Sequence, residues 1–354
     1  MGKVKTICTG TITPEFLEKL REYCDIRMGG YALTGENTMS EEEIIALLKG
    51  AEIAIIEYEE VTERVINSLP ALRLIVCPRG KPVNIDCAAA AKRGIPVVNA
   101  PGRNANSVAE VVVAQMISLC RQLGRANQEI KAGHYLGDPV EDIYAPTECS
   151  DVVWMLDQED SPFRKYRGPE ISYRTMGFIG YGAIGSRIRK LLSGFDMEFL
   201  VYDPYLPEEV AIREKVNLCS LETLLKNSDF VSVHCAVTPQ TTGMIGAEHF
   251  ALMKPTAYFI NTARGKIVQH RALVEALQNG EIAGAALDVF WNEPLPANHP
   301  LLKMPNVLIT PHIAGASDDV PSCHSRMIYT DIMHYLNGEP MNNVYNRKSL
   351  DSKM

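Results

Sequence analysis

The stretch MGFIGYGAIG, residues 176–185, decides the fold that we expect for this chain. It places the spacing G-x-G-x-x-G directly after an apolar run, 176–180, and directly before a helical pattern, 186–192. In that setting Gly180 permits a tight turn, Gly182 lets the backbone approach a pyrophosphate, and Gly185 lets the helix pack closely on the strand. The N-terminus of that helix would face the phosphate charge. The stretch therefore predicts a dinucleotide-binding loop.

An acidic residue lies where such a loop needs one. Asp203 ends the next apolar run, about 20 residues after the glycines, where a carboxylate accepts hydrogen bonds from ribose hydroxyls. It would repel a 2′-phosphate, and the sequence Pro-Tyr-Leu that follows offers no cation to neutralise one. We therefore expect NAD rather than NADP. A simple role for Asp203 in a turn before Pro204 is compatible with the same position, and this alternative stays open.

Apolar strand-like runs alternate with helical patterns along the whole chain, which predicts parallel sheets covered by helices on both faces. Ser40 with Glu43 and Ser107 with Glu110 predict capping boxes at the starts of two helices. The fold class is therefore α/β, with two doubly wound domains, a Rossmann domain and a flavodoxin-like substrate domain. The expected strands are 4–8, 53–57, 74–77 and 97–99 in the first part, then 176–180, 199–203, 230–235, 258–262, 285–290 and 307–310.

The domains are expected to be discontinuous in sequence. Residues 1–103 and 318–354 are predicted to form the substrate domain, and residues 104–317 the nucleotide-binding domain. The second contains an insertion, 134–170, which is acidic and without Lys or Arg as far as residue 160. We call this insertion the acidic flap. It suits a solvated or subunit-wrapping segment, and a role in substrate entry is the alternative.

Composition excludes several classes of protein. The 354 residues suit two domains at roughly 150 residues each, and a content of 46% hydrophobic and 22% charged residues is typical of a packed globular protein. A net charge of −8 argues against nucleic acid as a partner, and no apolar run reaches the ~18 residues of a membrane span. The nine cysteines are scattered, which favours reduced core residues of a cytoplasmic protein over a metal site.

Three polar residues follow later strands at the edge where open α/β sheets bind ligands. Arg264 lies between Ala263 and a glycine, and its planar fork suits a carboxylate. Glu293 lies in the sequence WNEPLP, and His312 follows Thr-Pro at a strand end. Together they are candidates for catalysis. The other histidines lack the spacing of metal ligands, and we expect structural or surface roles for them and no metal site.

With these residues, the sequence resembles the D-isomer-specific 2-hydroxyacid dehydrogenases, the family that includes phosphoglycerate, D-lactate and glycerate dehydrogenases. The resemblance implies that His312 is the acid/base, Glu293 its carboxylate partner and Arg264 the anchor for the substrate carboxylate. A nearby carboxylate favours imidazolium, which can give a proton to a carbonyl oxygen as hydride reaches the carbon. The matching stretches are 94–98, 102–110, 177–185, 201–204, 234–243, 261–265, 284–290 and 310–317.

The family also implies further contacts to NAD and a homodimer. Backbone groups of Gly182, Ala183 and Ile184 would contact the pyrophosphate, and Asp288 the nicotinamide amide. The residues expected near the cofactor on the neighbouring strand ends are Cys235, Thr262 and Ala263. Cys235 and Thr262 are equally compatible with being small core residues.

One loop departs from the family pattern, and it bears on the substrate. Many members have G-x-G-x-D-N-I-D after the fourth strand, whereas this chain has PRGKPVNID at 78–86. We expect Arg79, Gly80 and Lys81 to contact the 2-hydroxy or 2-oxo acid in a cleft between the domains, and plain surface charge is the alternative. Glu293 argues against formate as substrate, while phosphite remains a rival. A rival of another class is an NADH-sensing protein like the corepressors built on this fold.

Overall fold

The computed structural model describes residues 2–145 and 161–351. The chain forms two compact units, one made of residues 1–104 with 316–354 and the other of residues 105–315. It therefore passes between units after Asn104 and after Gly315, compared with the expected crossings after 103 and 317. Each unit contains its own parallel sheet.

The first unit contains the strands β1 (Val4–Cys8), β2 (Cys24–Met28), β3 (Ile53–Ile55), β4 (Leu74–Cys77) and β5 (Val97–Asn99). They form a parallel sheet in the order β2-β1-β3-β4-β5. The prediction missed β2. This edge strand has the sequence CDIRM, in which Asp25 and Arg27 point to solvent, so no apolar run marks it.

Five short helices connect these strands: α1 (Pro14–Arg21), α2 (Tyr31–Thr34), α3 (Glu41–Leu48), α4 (Glu63–Asn67) and α5 (Cys87–Lys92). The predicted capping box at α3 is confirmed. The Glu43 N–H donates to Ser40 Oγ at 3.4 Å, and the Ser40 N–H donates to Glu43 Oε2 at 2.8 Å.

The second unit contains β6 (Thr175–Ile179), β7 (Glu198–Tyr202), β8 (Asn217–Leu218), β9 (Phe230–Val233), β10 (Tyr258–Asn261), β11 (Gly284–Leu287) and β12 (Val307–Ile309). The order is β12-β11-β10-β9-β6-β7-β8, with every pair parallel. The strand order reverses where β6 lies beside β9, which is the switch point at which such sheets bind ligands. The prediction missed β8, a pair of exposed residues at the edge.

The helices of the second unit are α6 (Ala105–Arg121), α7 (Leu123–Lys131), α8 (Pro162–Lys165), α9 (Ala183–Leu191), α10 (Glu208–Glu214), α11 (Leu221–Asn227), α12 (Ala247–Phe250) and α13 (His270–Gln278). Short 3₁₀ turns cover Leu192–Phe195, Gly265–Ile267 and Pro300–Lys303. The capping box predicted at Ser107 is wrong, because α6 has already begun at Ala105. Ala105 is buried in line with Val108 and Val112, so the apolar face extends the helix backwards.

The sheet of the second unit is buried on both faces. Neighbouring residues of one strand point to opposite sides, so Phe259 packs with Phe250 and Leu273, whereas Ile260 packs with Met116 of α6. This double burial holds the carboxyl ends of the strands in fixed positions. The chain then returns to the first unit as α14 (Val320–Asn337) and α15 (Arg347–Asp351), with Pro321 in the first turn as predicted.

The acidic flap is described at its two ends only, since residues 146–160 lie outside the described part. The Glu129 side chain of α7 holds the second of these ends. It accepts hydrogen bonds from Arg125, Lys165 and Tyr166, and the first two also form ion pairs with it. Hydrogen bonds from Lys165, Tyr166 and Arg125 lower the pKa of Glu129 to about 2. The Glu129 carboxylate therefore stays charged at any pH found in a cell.

Among the described helices, none has the length and apolar content needed to cross a bilayer.

Candidate active site

The glycine loop has the geometry that its sequence predicts. Gly180 has a φ of +86°, and a side chain there would meet the backbone N of Cys235 at 2.7 Å. A side chain at Gly182 would meet nothing within 4 Å, so space lies open in front of the loop. Gly185 is buried, and a side chain there would meet the Tyr181 ring at 3.1 Å. Because α9 starts directly after Gly182, the free N–H groups of its first turn, from Ala183 onwards, can face an anion in that space.

Asp203 follows β7 and braces this loop. Its Oδ2 accepts the Tyr181 N–H at 2.8 Å, and its Oδ1 accepts the Tyr205 N–H at 2.9 Å. The second bond is the turn role that the sequence left open, and the first ties the carboxylate to the glycine loop. Each oxygen accepts one protein donor, which leaves acceptor capacity for ribose hydroxyls.

Cys235, Thr262 and Ala263 follow β9 and β10 on the same edge of the sheet. Cys235 lies against Gly180, and burial raises the pKa of its thiol. Thr262 is buried, and among the described residues its hydroxyl has no hydrogen-bond partner. Such orphan groups are rare in folded proteins and fit a ligand. The Ala263 N–H donates to Asn261 Oδ1 at 3.0 Å, which fixes the turn.

Asn261 and Gly265 position Arg264, and neither was among the predicted site residues. Asn261 Nδ2 donates to the Arg264 carbonyl at 3.0 Å. A side chain at Gly265 would overlap the Phe290 carbonyl at 2.3 Å, so glycine lets this turn touch the segment after β11. The Arg264 side chain is exposed and donates to the Ala263 carbonyl at 2.6 Å. The signal in the sequence was the Arg-Gly pair directly after a buried strand.

Asp288 is 1% exposed and fastens the loop that carries His312. Its Oδ1 accepts the Thr310 hydroxyl at 2.6 Å and the Ile313 N–H at 2.9 Å, and its Oδ2 accepts the Ala314 N–H at 2.8 Å. These bonds hold residues 310–314 in one conformation. The carboxylate therefore orients the loop, a role that the sequence did not reveal.

Replacing Asp288 by asparagine is expected to destabilise the protein by about 1–3 kcal/mol, because either orientation of the amide turns an NH₂ toward a donor. Calorimetry at pH 7.5 should show a melting temperature lower by several degrees. Asp196→Asn is the matched control, since Asp196 is exposed and its left-handed backbone (φ +51°) suits asparagine. Equal melting temperatures for both variants would contradict this role.

Glu293 and His312 form a hydrogen-bonded pair. Glu293 Oε2 lies 2.7 Å from His312 Nδ1, and Glu293 Oε1 accepts the Phe290 N–H at 2.9 Å. Partial burial raises the pKa of Glu293, but hydrogen bonds from His312 and the Phe290 N–H, with the charges of His312 and Arg264, outweigh it and lower that pKa. Glu293 therefore stays ionised. Since Nδ1 faces the carboxylate, Nε2 is the ring nitrogen left to exchange a proton with a substrate.

His312 has a left-handed backbone with a φ of +57°, and its side chain is 43% exposed. Beside the pair lies an open, mainly apolar cavity of about 390 Å³. Its lining comes from the two loops that carry the pair, namely Phe290, Glu293, Pro294, Leu295, Leu302, Ile309, Thr310, Pro311 and His312. The strand ends of this unit thus bring together an imidazole, its carboxylate and a guanidinium whose charge acts on that carboxylate.

The remaining predicted residues, Arg79, Gly80 and Lys81, lie after β4 in the first unit. The Arg79 guanidinium rests over the Tyr58 ring at 5.2 Å. Asn99 Nδ2 donates to the Gly80 carbonyl at 2.7 Å, and the Ala100 N–H donates to the Arg79 carbonyl at 2.9 Å. Lys81 is exposed. The loop backbone is therefore fixed from inside while both cations remain at the surface of their unit.

Comparison with known proteins identifies the family. Residues 113–314 match the model of the D-isomer specific 2-hydroxyacid dehydrogenase, NAD binding domain. The chain is 38% identical over 315 residues to the putative 2-hydroxyacid dehydrogenase YoaD of Bacillus subtilis, covering 88% of this chain and 85% of that one. It is 33% identical over 354 residues to a glyoxylate reductase of Thermofilum pendens, covering 99% and 96%. The chain belongs to the D-isomer specific 2-hydroxyacid dehydrogenase family, as the resemblance implied.

Solved structures agree on the fold. The NADPH-dependent glyoxylate/hydroxypyruvate reductase of Sinorhizobium meliloti, solved with NADP and malonate, aligns with a TM-score of 0.67 at 24% identity and covers 98% of each chain. The predicted class of two parallel-sheet α/β domains with a Rossmann domain is confirmed. The family model and these relatives support an oxidoreductase that uses a nicotinamide dinucleotide, and nothing in these comparisons favours the NADH-sensing alternative.

Proposed function

We propose that this protein interconverts a D-2-hydroxy acid and its 2-oxo acid with NAD, using His312 as acid/base, Glu293 as its partner and Arg264 as carboxylate anchor. The observation that carries the proposal is the 2.7 Å contact between Glu293 Oε2 and His312 Nδ1. It occupies Nδ1, which leaves Nε2 for the substrate, and it sets a negative charge on the opposite side of the ring. That is the arrangement that acid/base catalysis by histidine requires.

In the reducing direction, NADH would supply, when bound, the hydride that adds to the carbonyl carbon of the substrate. His312 gives the proton on Nε2 to the carbonyl oxygen, so that the product is a neutral hydroxyl group. Glu293 stabilises the imidazolium before the transfer, and in the oxidising direction the neutral ring takes the hydroxyl proton back. Arg264 holds the substrate carboxylate in a two-point contact and so orients the carbonyl toward Nε2.

The coenzyme site fits a dinucleotide. The open space before Gly182, the N-terminus of α9 and the orphan hydroxyl of Thr262 are the supporting observations. We propose that the N–H groups of Ala183 and Ile184 hold the pyrophosphate, Asp203 the ribose and Asp288 the amide, with Cys235 and Ala263 lining the pocket. NAD is the proposed coenzyme, although the Sinorhizobium relative uses NADPH.

NADH is expected to bind at least about tenfold more tightly than NADPH, a difference of about 1.4 kcal/mol, because Asp203 repels a 2′-phosphate. Fluorescence titration of the two coenzymes checks this. Asp203→Asn keeps an acceptor oxygen and removes the charge, so the preference should shrink while NADH binding changes little. Tighter binding of NADPH to the unchanged protein would contradict the assignment.

The substrate is proposed to be a small 2-oxo acid that also contacts Arg79, Gly80 and Lys81. NADH consumption should be measured with a panel running from glyoxylate and pyruvate to phosphorylated and sugar-acid members. Turnover of at least one member is expected. If Arg79 binds a second anionic group, Arg79→Gln should lower kcat/KM only for members that carry a phosphate or a second carboxylate. Tight NADH binding with no turnover across the panel would contradict the proposed reaction.

We also propose a homodimer that works in the cytoplasm. Exposed apolar side chains gather on α7 and at the start of the acidic flap, where a monomer would leave them in water. They are Leu123, Ile130, Leu136, Val140 and Ile143. Light scattering on the purified chain should give twice the monomer mass of 39.2 kDa. The free thiols of the described cysteines are compatible with a reducing compartment.

A further inference from the structure

Two histidines outside the catalytic pair meet near the loop that carries Glu293. His270 is the first residue of α13. His299 lies just before Pro300, at the end of the loop that follows β11 and carries Glu293. Their Nε2 atoms lie 2.7 Å apart, and the ring planes are within 7° of each other. The His270 ring also stacks on Trp291, with centroids 4.1 Å apart and planes within 11°. One imidazole therefore contacts both ends of the loop.

These contacts lead directly to the catalytic carboxylate. Trp291 Nε1 donates to the Val268 carbonyl at 2.6 Å, so its indole is held between α13 and the turn before it. Trp291 is two residues from Glu293, whose Oε1 accepts the Phe290 N–H. The Gly265 backbone packs on the same Phe290–Trp291 peptide. A displacement of Trp291 would therefore move Glu293, while the Arg264 turn is also held by the Asn261 side chain.

The hydrogen bonds define where the protons lie. The Leu301 N–H donates to His299 Nδ1 at 3.3 Å, so neutral His299 carries its proton on Nε2 and donates it to His270 Nε2. A proton added to His270 Nε2 would place two N–H groups in a 2.7 Å gap. A proton added to His299 Nδ1 would face the Leu301 N–H. Neither ring can be protonated without breaking one of these contacts.

We infer that His270, His299 and Trp291 form a proton-sensitive clamp that positions Glu293, closed when both imidazoles are neutral and open when either gains a proton. The inference rests on the proposed function only for its kinetic consequence. His270 and His299 are positioning residues, since they act on the reaction through Glu293. We call this group the histidine clamp.

The charged side chains around the histidine clamp are paired with one another or exposed. The clamp should therefore respond mainly to protonation of His270 and His299 themselves. Arg271 and Glu275 on α13 bind each other at 2.6 Å. Glu248 and His249 lie 3.1 Å apart on α12, the helix that packs on α13. Lys266 and Lys303 in the flanking turns are exposed, and Glu293 is bound to His312.

Burial lowers the pKa of His270, and burial together with the charge of His270 lowers that of His299. The folded chain therefore binds these protons less readily than the unfolded chain. Stability from the histidine clamp is complete above about pH 6.5, the ordinary value for imidazole, and is lost as the pH falls below it.

The test uses the full-length chain with Trp154→Phe, which leaves Trp291 as the only tryptophan of the two. Its emission is expected to change in a single step with a midpoint below pH 6.5. His270→Phe keeps a ring on the indole but loses the hydrogen bond, and His299→Asn removes the partner ring. His270→Phe should abolish the step, and His299→Asn, which leaves a titratable ring on the indole, should move its midpoint, whereas exposed His134→Asn should leave the step unchanged.

The kinetic arm is run at pH 8, where the histidine clamp is closed. The same two variants should lower kcat about tenfold and leave the KM for the 2-oxo acid within about twofold, because Glu293 is displaced while Arg264 still binds substrate. Emission independent of pH, a step retained in His270→Phe, or unchanged kcat in both variants would overturn the inference. The fluorescence measurement needs no turnover, so it tests the histidine clamp even if the wild-type protein is inactive. Inactivity would contradict the proposed reaction alone.

Discussion

Replacing His312 by asparagine is expected to lower kcat about 10³-fold, within the range that a positioned acid/base contributes. Asparagine has no proton to give at neutral pH, so hydride transfer would leave an alkoxide without its acid. It also tolerates the left-handed backbone at this position, so the loop held by Asp288 should keep its shape. Steady-state NADH consumption with the best substrate of the panel measures the effect.

The control for this variant is coenzyme binding. The affinity for NADH should match that of the unchanged protein within about twofold, since the proposed pyrophosphate and ribose contacts lie elsewhere on the sheet edge. Glu293→Gln should lose less activity, about 10- to 100-fold, because the imidazole remains and only its charged partner is removed. Full activity in His312→Asn would show that another group supplies the proton.

The second large effect is expected at Arg264. Arg264→Gln should lower kcat/KM about 10³-fold, and Arg264→Lys about 10²-fold, because lysine retains the charge but not the planar two-point fork. Most of the loss in the lysine variant should appear in KM for the 2-oxo acid. Initial rates over a range of substrate concentrations separate the two constants.

Arg213→Lys is the matched control for the lysine variant, because Arg213 on α10 is 70% exposed. It should leave both constants unchanged. A short-chain alcohol or aldehyde, which has no carboxylate, provides a further check. If Arg264→Lys slowed the reaction of such a compound as strongly as that of a 2-oxo acid, carboxylate anchoring would be contradicted.

The sequence predicted those parts of the fold that repeat a strong local pattern. The glycine loop, the long buried strands and the capping box at Ser40 all depend on neighbours within a few residues. It missed β2 because an edge strand buries only alternate residues, and it misplaced the start of α6 because packing against the sheet extends the helix to Ala105. In both cases, packing against segments far away in the sequence decides where the element lies.

The candidate site shows the same division. The proposed catalytic residues could be named because each follows a recognisable strand, whereas the residues that hold them could not. Asp288 reaches the loop of residues 310–314, and His270 meets His299 across 29 positions of sequence. The partners in these hydrogen bonds are brought together by the parallel order of the strands, which no local pattern encodes.

The left-handed backbone at residue 312 also limits how this protein can evolve or be redesigned. Only glycine, asparagine, aspartate and histidine adopt such a φ readily, and any other side chain costs roughly 1–2 kcal/mol. Of the tolerated residues, histidine alone titrates near neutrality. Under the proposed mechanism, lysine or glutamate at the same position would combine this backbone cost with a side-chain pKa that ordinarily lies far from neutrality. The proposed acid/base role of residue 312 thus depends on the backbone of the turn that carries it.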